Sequence, residues 1–239
     1  GLFLPAVCNR GIRLPVASVV SGIRKRSKLR FSVVDAAQAI NHVDLAWASS
    51  TVDFIFGGTH KWLRSYEPMA IGCYGRESSS SFVRDTLNRE LRNNPMADPL
   101  SRITQANASQ VDETLNLCPL FAAAGALEDA KSHNDWDETG IVRKLVQSIA
   151  ARTGWETSKL CPEFQSRIML LRKPSLEEAS PGYIRRKLFR YGLAVTEFQG
   201  GVCRISLPKA ISQDEGEQLE YALKNIAYPL ISRAFLFRP

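Results

Sequence analysis

Apolar positions along this chain fall alternately into short runs and into helical spacing, and that alternation predicts an α/β protein. The runs at 2–7, 31–34, 52–56 and 69–74 read as strands, the last two followed by the glycine-bearing turns Gly57-Gly58 and Gly75. Between the first two, Val16, Val19, Val20 and Ile23 recur at helical spacing after Pro15, predicting a helix over 15–26. From 77 to about 110 the periodicity fades, and the expectation is irregular chain with one short helix near 82–92. Pro119 then opens a helix reaching about 131, and Ile141, Leu145, Val146 and Ile149 mark the next. A strand at 168–171 follows, then a helix through Ile184, Leu188 and Tyr191 that Gly192 can close. Leu193–Thr196 and Val202–Leu207 suggest a β pair. Ser212 and Glu215 have the spacing of a capping box ahead of a last helix.

Composition narrows the class. The 239 residues are 44% hydrophobic and 23% charged, a globular balance that argues against disorder. No apolar run approaches the roughly 18 residues of a spanning helix, and the first residues lack a leader pattern. The expectation is a cytoplasmic protein with no membrane partner. Five scattered cysteines without CxxC spacing predict reduced thiols, and three dispersed histidines offer no metal site. The net charge of +7 raises nucleic acid as a partner. The densest basic run, Arg24 to Arg30, however, ends a predicted helix, where cations are favourable, and lacks interleaved aromatics. No nucleic-acid partner is expected.

Candidate chemistry concentrates in residues 31–62. Asp35 closes a buried strand, at the end where α/β sheets keep their ligand sites, and a carboxylate there is costly unless something cationic meets it. Twenty-six positions later Lys61 follows a second strand and a glycine pair. An acid and an amine presented from two strand ends suit pyridoxal phosphate, which needs a lysine to bond its aldehyde and an acid to hold its ring proton. Each residue alone has a plainer explanation, a strand cap for Asp35 and a solvated side chain for Lys61.

The segments VDAAQA at 34–39 and THKW at 59–62 resemble those of the class V aminotransferases, fold-type I pyridoxal-phosphate enzymes that include cysteine desulfurases and isopenicillin-N epimerase-like proteins. The resemblance implies that Asp35 pairs with the ring nitrogen, Gln38 hydrogen-bonds the phenolic oxygen, His60 contacts the phosphate and Lys61 is the catalytic lysine that carries the cofactor. Asn9, in VCNRG, resembles an asparagine facing the substrate carboxylate, or is a turn residue before Gly11. Arg204, in CRISL, resembles the arginine that grips that carboxylate, or is an edge-strand surface residue, with Arg185 or Arg186 as substitutes. Thr114, in ETLN, resembles a phosphate contact from the opposite subunit.

The resemblance also sets limits. No cysteine lies between Tyr183 and Val202, where desulfurases carry their nucleophile, so sulfur transfer is disfavoured. Gly58 stands where many relatives have a phosphate-binding serine, with Thr59 as possible compensation. Trp62 and the NHV triplet at 41–43 are closer to the epimerase-like branch. The family's N-terminal third has no counterpart here. The expected plan is the later part of the large domain, a mixed sheet with flanking helices over 1–113, and then a linking helix and a small α+β domain over 114–239. The expected activity is a pyridoxal-phosphate-dependent transformation of an amino acid, incomplete without a second copy in a homodimer or a separate N-terminal chain. The alternative is a catalytically silent remnant or interaction module of the same fold.

Overall fold

The computed structural model describes residues 1–91, 116–132 and 139–226. Its contacts divide the chain into two units, one of Gly1–Cys8 and Leu14–Asn134, the other of Asn9–Arg13 and Asp135–Pro239. By these contacts the helix at 118–132 groups with the first unit. The sequence marks where that helix starts but not which unit it packs on.

The first unit is a four-stranded mixed sheet in the order β1-β2-β3-β4, with β1 Leu2–Pro5, β2 Ser32–Asp35, β3 Phe54–Gly58 and β4 Ala70–Tyr74. The first three strands run parallel and β4 returns antiparallel to β3. Helix α1 (Val16–Arg26) makes the first crossover, starting at Pro15 and burying Val16 and Val20. The second crossover holds a single turn, α2 (Ala48–Thr51), too short to leave a periodic signal. One cross-strand row is Phe3, Val33, Phe54 and Tyr74, and the next on that face is Pro5, Asp35, Phe56 and Gly72. Phe3 and Tyr74 remain 58% and 45% exposed, so this aromatic face is open at both flanks.

Helix α3 (Glu77–Leu91) begins five residues before the expected helix, inside the serine run. Serine is a poor helix former, but Ser79 is buried and its hydroxyl donates to Asp53 Oδ1 at 3.1 Å. Asp53 explains much else. Its Oδ2 accepts from the Ser32 amide at 2.8 Å, the Ser32 hydroxyl at 2.5 Å and Arg24 Nη2 at 3.1 Å. Arg24 Nη1 continues to the Thr51 carbonyl at 2.5 Å. The first member of the basic run thus turns inward and ties α1 and α2 to the starts of β2 and β3.

The second unit carries an antiparallel sheet in the order β5-β6-β8-β7, with β5 Glu156–Thr157, β6 Ile168–Arg172, β7 Thr196–Phe198 and β8 Val202–Ser206. Its helices are α5 (Thr139–Arg152), α6 (Tyr183–Arg190) and α7 (Gln213–Lys224), while α4 (Cys118–Ser132) belongs to the first unit. Val146, Ile149, Leu171, Leu188, Leu219 and Leu223 form the centre of its core. β7 starts three residues later than expected because residues 191–193 finish α6. Gly192 takes φ +79°, its amide reaches the Phe189 carbonyl, and the Leu193 amide reaches that of Leu188, a Schellman closure. The capping box is present, with Ser212 Oγ accepting from the Glu215 amide and the Glu215 carboxylate from the Ser212 amide.

Burial pushes the Asp53 carboxyl up, but the Ser32 hydroxyl and amide, the Ser79 hydroxyl and the Arg24 charge together hold it below its ordinary 3.8. A carboxyl depressed on folding adds stability above its unfolded value and loses it as the pH falls through the lower folded value. Asp53→Ala should therefore cost about 1–3 kcal/mol at pH 7. Urea melts of the two proteins should converge progressively as the pH falls from about 4 through the lower folded value, beneath which both states carry the proton.

Candidate functional site

Asp35 is the last residue of β2 and lies opposite Phe56 of β3 in a parallel register. The ladder continues one residue further, the Ala36 amide reaching the Phe56 carbonyl at 2.7 Å. The chain then turns through 36–43, and Asp35 Oδ1 accepts from the Ala37 amide at 2.7 Å, an Asx turn. Among the described residues nothing donates to Oδ2.

β3 ends in Gly57 and Gly58, and the first of these needs to be glycine. A Cβ on Gly57 would lie 2.9 Å from the Ala36 carbonyl carbon and 2.7 Å from Ile40 Cδ1, so the turn after Asp35 packs directly on the end of β3. A Cβ on Gly58 would lie 2.7 Å from His60 Cε1, because the imidazole lies over that glycine. The loop beyond is closed by buried Thr59. Its amide and hydroxyl both donate to the Met69 carbonyl, its Oγ1 accepts from the Met69 amide, and its carbonyl takes the Ser65 amide. With its one hydroxyl donor committed to Met69, Thr59 could meet a phosphate through Oγ1 only by giving that bond up. His60 and Lys61 are exposed at the tip.

Sequence reasoning missed the cluster that joins the two loops. Trp62 Nε1 donates to Gln38 Oε1 at 2.9 Å, and its ring stacks on His42 with centroids 3.8 Å apart. His42 Nδ1 lies 2.5 Å from the Gln38 carbonyl, and Asn41 Nδ2 donates to the Trp62 carbonyl at 3.2 Å. Asn41 holds φ +55°, a left-handed conformation that asparagine tolerates better than most. The available signal was the bulky indole directly after Lys61 together with three polar residues at 38, 41 and 42.

The other candidates lie in the second unit. Arg204 of β8 is half-buried and donates to the Asn9 carbonyl at 3.1 Å and to Thr196 Oγ1 at 3.0 Å. Thr196 is its register partner in β7. The Asn9 segment is held by Gly11, whose φ of +85° and closeness to the Ile168 carbonyl exclude a side chain, and whose own carbonyl accepts from Ser166 Oγ at 2.7 Å. Buried Arg143 donates to the Ser166 and Ile168 carbonyls beneath it. Next to Arg204, Cys203 is fully buried, and burial with the nearby Glu197 carboxylate pushes its thiol up to about 12, the state of an inert core thiol. The structure thus groups Asp35 and Gln38 with the His60–Lys61 loop in one unit, and Asn9 with Arg204 in the other. Thr114 lies outside the described residues. Among those residues no cluster of His, Cys, Asp or Glu could hold a metal ion, and no helix is long and apolar enough to cross a membrane.

The strands and crossovers together give a fold similar to that of solved aminotransferase structures. Ureidoglycine–glyoxylate aminotransferase from Bacillus subtilis superimposes with a TM-score of 0.72 at 15% identity, over 93% of this chain and 59% of its own. Alanine–glyoxylate aminotransferase from a Nostoc species gives 0.64 at 17%, over 93% and 60%. A structure of SPT holding a PLP internal aldimine gives 0.63 at 12%, over 93% and 54%. The chain therefore spans a little over half the length of these structures. No protein-family profile matches the sequence, and no curated protein sequence does.

Gly57→Ala tests whether close approach sets the site. Backbone cannot retreat from a methyl group as a flexible side chain can, so the variant should lose about 1–3 kcal/mol of stability in a denaturant melt. Gly125→Ala, whose Cβ would meet nothing within 4 Å, should lose none.

Proposed function

We propose that this chain forms a pyridoxal-phosphate site that acts on the α-carbon of an amino acid, by transamination or by epimerase- or lyase-type chemistry. The observation that carries the reading is the parallel β2–β3 register, which places the Asp35 carboxylate and the Lys61 loop on adjacent strand ends. The donor set fits the cofactor. Asp35 Oδ2 has no donor among the described residues and can take a ring N–H. Gln38, its Oε1 occupied by Trp62, has its amide N–H groups to give to the phenolic oxygen, and His60 stands at the loop tip for the phosphate. When bound, pyridoxal phosphate supplies an electron sink for bonds broken at Cα. In this reading Lys61 holds the cofactor through its amine and moves the Cα proton, Asp35 keeps the ring nitrogen protonated, and Arg204 binds the α-carboxylate with Asn9 beside it. Cys203 is no sulfur nucleophile, and cysteine desulfuration is not proposed.

The exposure of His60 and Lys61 supports a further part of the reading, that another polypeptide covers this loop. A homodimer is the simplest arrangement, and the open aromatic face around Phe3 and Tyr74 is surface suited to contact. All five cysteines are free thiols, which suits a reducing compartment such as the cytoplasm. That same exposure favours the second reading, a fold retained for interaction without cofactor chemistry.

Cofactor trapping separates the two. Borohydride treatment with pyridoxal phosphate should modify Lys61, and Lys61→Ala should abolish the trapped adduct with its circular dichroism unchanged. An adduct on another lysine, or none, would favour the silent module. Arg204→Ala should leave trapping intact yet weaken amino acid binding about ten- to hundredfold, the range of a lost charge-assisted pair. The corresponding amino acid amide should bind both proteins alike.

A further inference from the structure

We infer that Trp62 is a positioning residue that fixes the Gln38 amide with its NH2 group turned towards the cofactor, an inference that rests on the reading just proposed. An indole N–H can only donate, so its bond at 2.9 Å must end on Oε1 of Gln38 and not on Nε2. The flip of that amide is thereby decided by chemistry, and Nε2 becomes the free end. Among the described residues nothing accepts from Nε2. An unanchored glutamine would sample both flips, and in one of them would present a carbonyl oxygen to the phenolic oxygen of the cofactor, acceptor against acceptor.

Three further contacts tie the cluster together. His42 stacks on the indole with centroids 3.8 Å apart, Asn41 Nδ2 donates to the Trp62 backbone carbonyl, and His42 Nδ1 meets the Gln38 carbonyl, so Gln38 is held at both backbone and side chain. Trp62 also adjoins Lys61 in the chain. One side chain therefore sets the orientation of the donor on the first loop and anchors the lysine-bearing tip of the second.

Trp62→Phe keeps a ring for His42 to stack on and removes only the donor. The wild-type chain, Trp62→Phe, Gln38→Ala and the double variant are compared by equilibrium dialysis against pyridoxal phosphate. In the proteins without cofactor, exchange of the Trp62 indole N–H is followed by NMR. The expected result is protection of the indole N–H in the wild type that is lost in Gln38→Ala, and weaker cofactor binding in Trp62→Phe by about two- to tenfold, the range of one neutral hydrogen bond. That loss should vanish in the Gln38→Ala background, where no amide remains to orient. An unprotected indole, or the same loss in both backgrounds, overturns the positioning role while leaving the cofactor reading in place. A protected indole in a wild-type chain that binds no pyridoxal phosphate overturns the cofactor reading instead, and the role of Gln38 with it.

Discussion

Withdrawing the Asp53 carboxylate from water is tolerable only because donors converge on it from Ser32, Ser79 and Arg24, and the first unit is assembled around that convergence. Ser32 begins β2, Asp53 immediately precedes β3, Arg24 ends α1 and Ser79 lies in the first turn of α3. Four elements are thus pinned together at the strand starts. With those ends fixed, the parallel ladder carries the alignment up the sheet, and Asp35 arrives opposite Phe56. The candidate site occupies the other end of the same strands. The Asp53 network and the Asp35 carboxylate are separated by the length of one short strand, which leaves Asp35 outside the network that consumes Asp53.

Most of the strands and helices were legible because each leaves a local signal: an apolar run, a helical spacing, Pro15, Gly192, or Ser212 with Glu215. What was illegible depends on partners far along the chain. The serine run at 77–81 reads as loop from propensity, yet it is helix because Ser79 finds Asp53, twenty-six residues away. That the Asp35 strand end and the Lys61 loop adjoin neighbouring strands could be anticipated from two strand ends and the residues between them. The bond from Trp62 to Gln38 could not, since no spacing rule links an indole to an amide across two loops. Thr59 looked available for a phosphate because the sequence does not show that its hydroxyl is spent on Met69.

Identities of 12–17% to the structures described above establish a shared backbone and little more, since one fold hosts many chemistries. The weight of any functional reading therefore rests on a few side chains. They divide between the two units: the cofactor candidates lie on β2 and the loop after β3, the carboxylate candidates on β8 and the Asn9–Arg13 segment. That segment belongs to the second unit although its neighbours in sequence belong to the first, held there by Ser166, Gly11 and the carbonyls above buried Arg143. Asn9 and Arg204 are consequently joined within one unit, the guanidinium donating to the Asn9 carbonyl.

Gly58 sits in surroundings that suit glycine. A serine there would give a hydroxyl to a phosphate, but its Cβ would stand 2.7 Å from His60 Cε1 and drive the imidazole off the loop. Glycine at 58 and the overlying ring at 60 therefore form a single choice, in which the space of a side chain is filled by a side chain from two residues on. With the Thr59 hydroxyl turned inward to Met69, the proposed phosphate contact at this loop rests on His60 and on the amides around it.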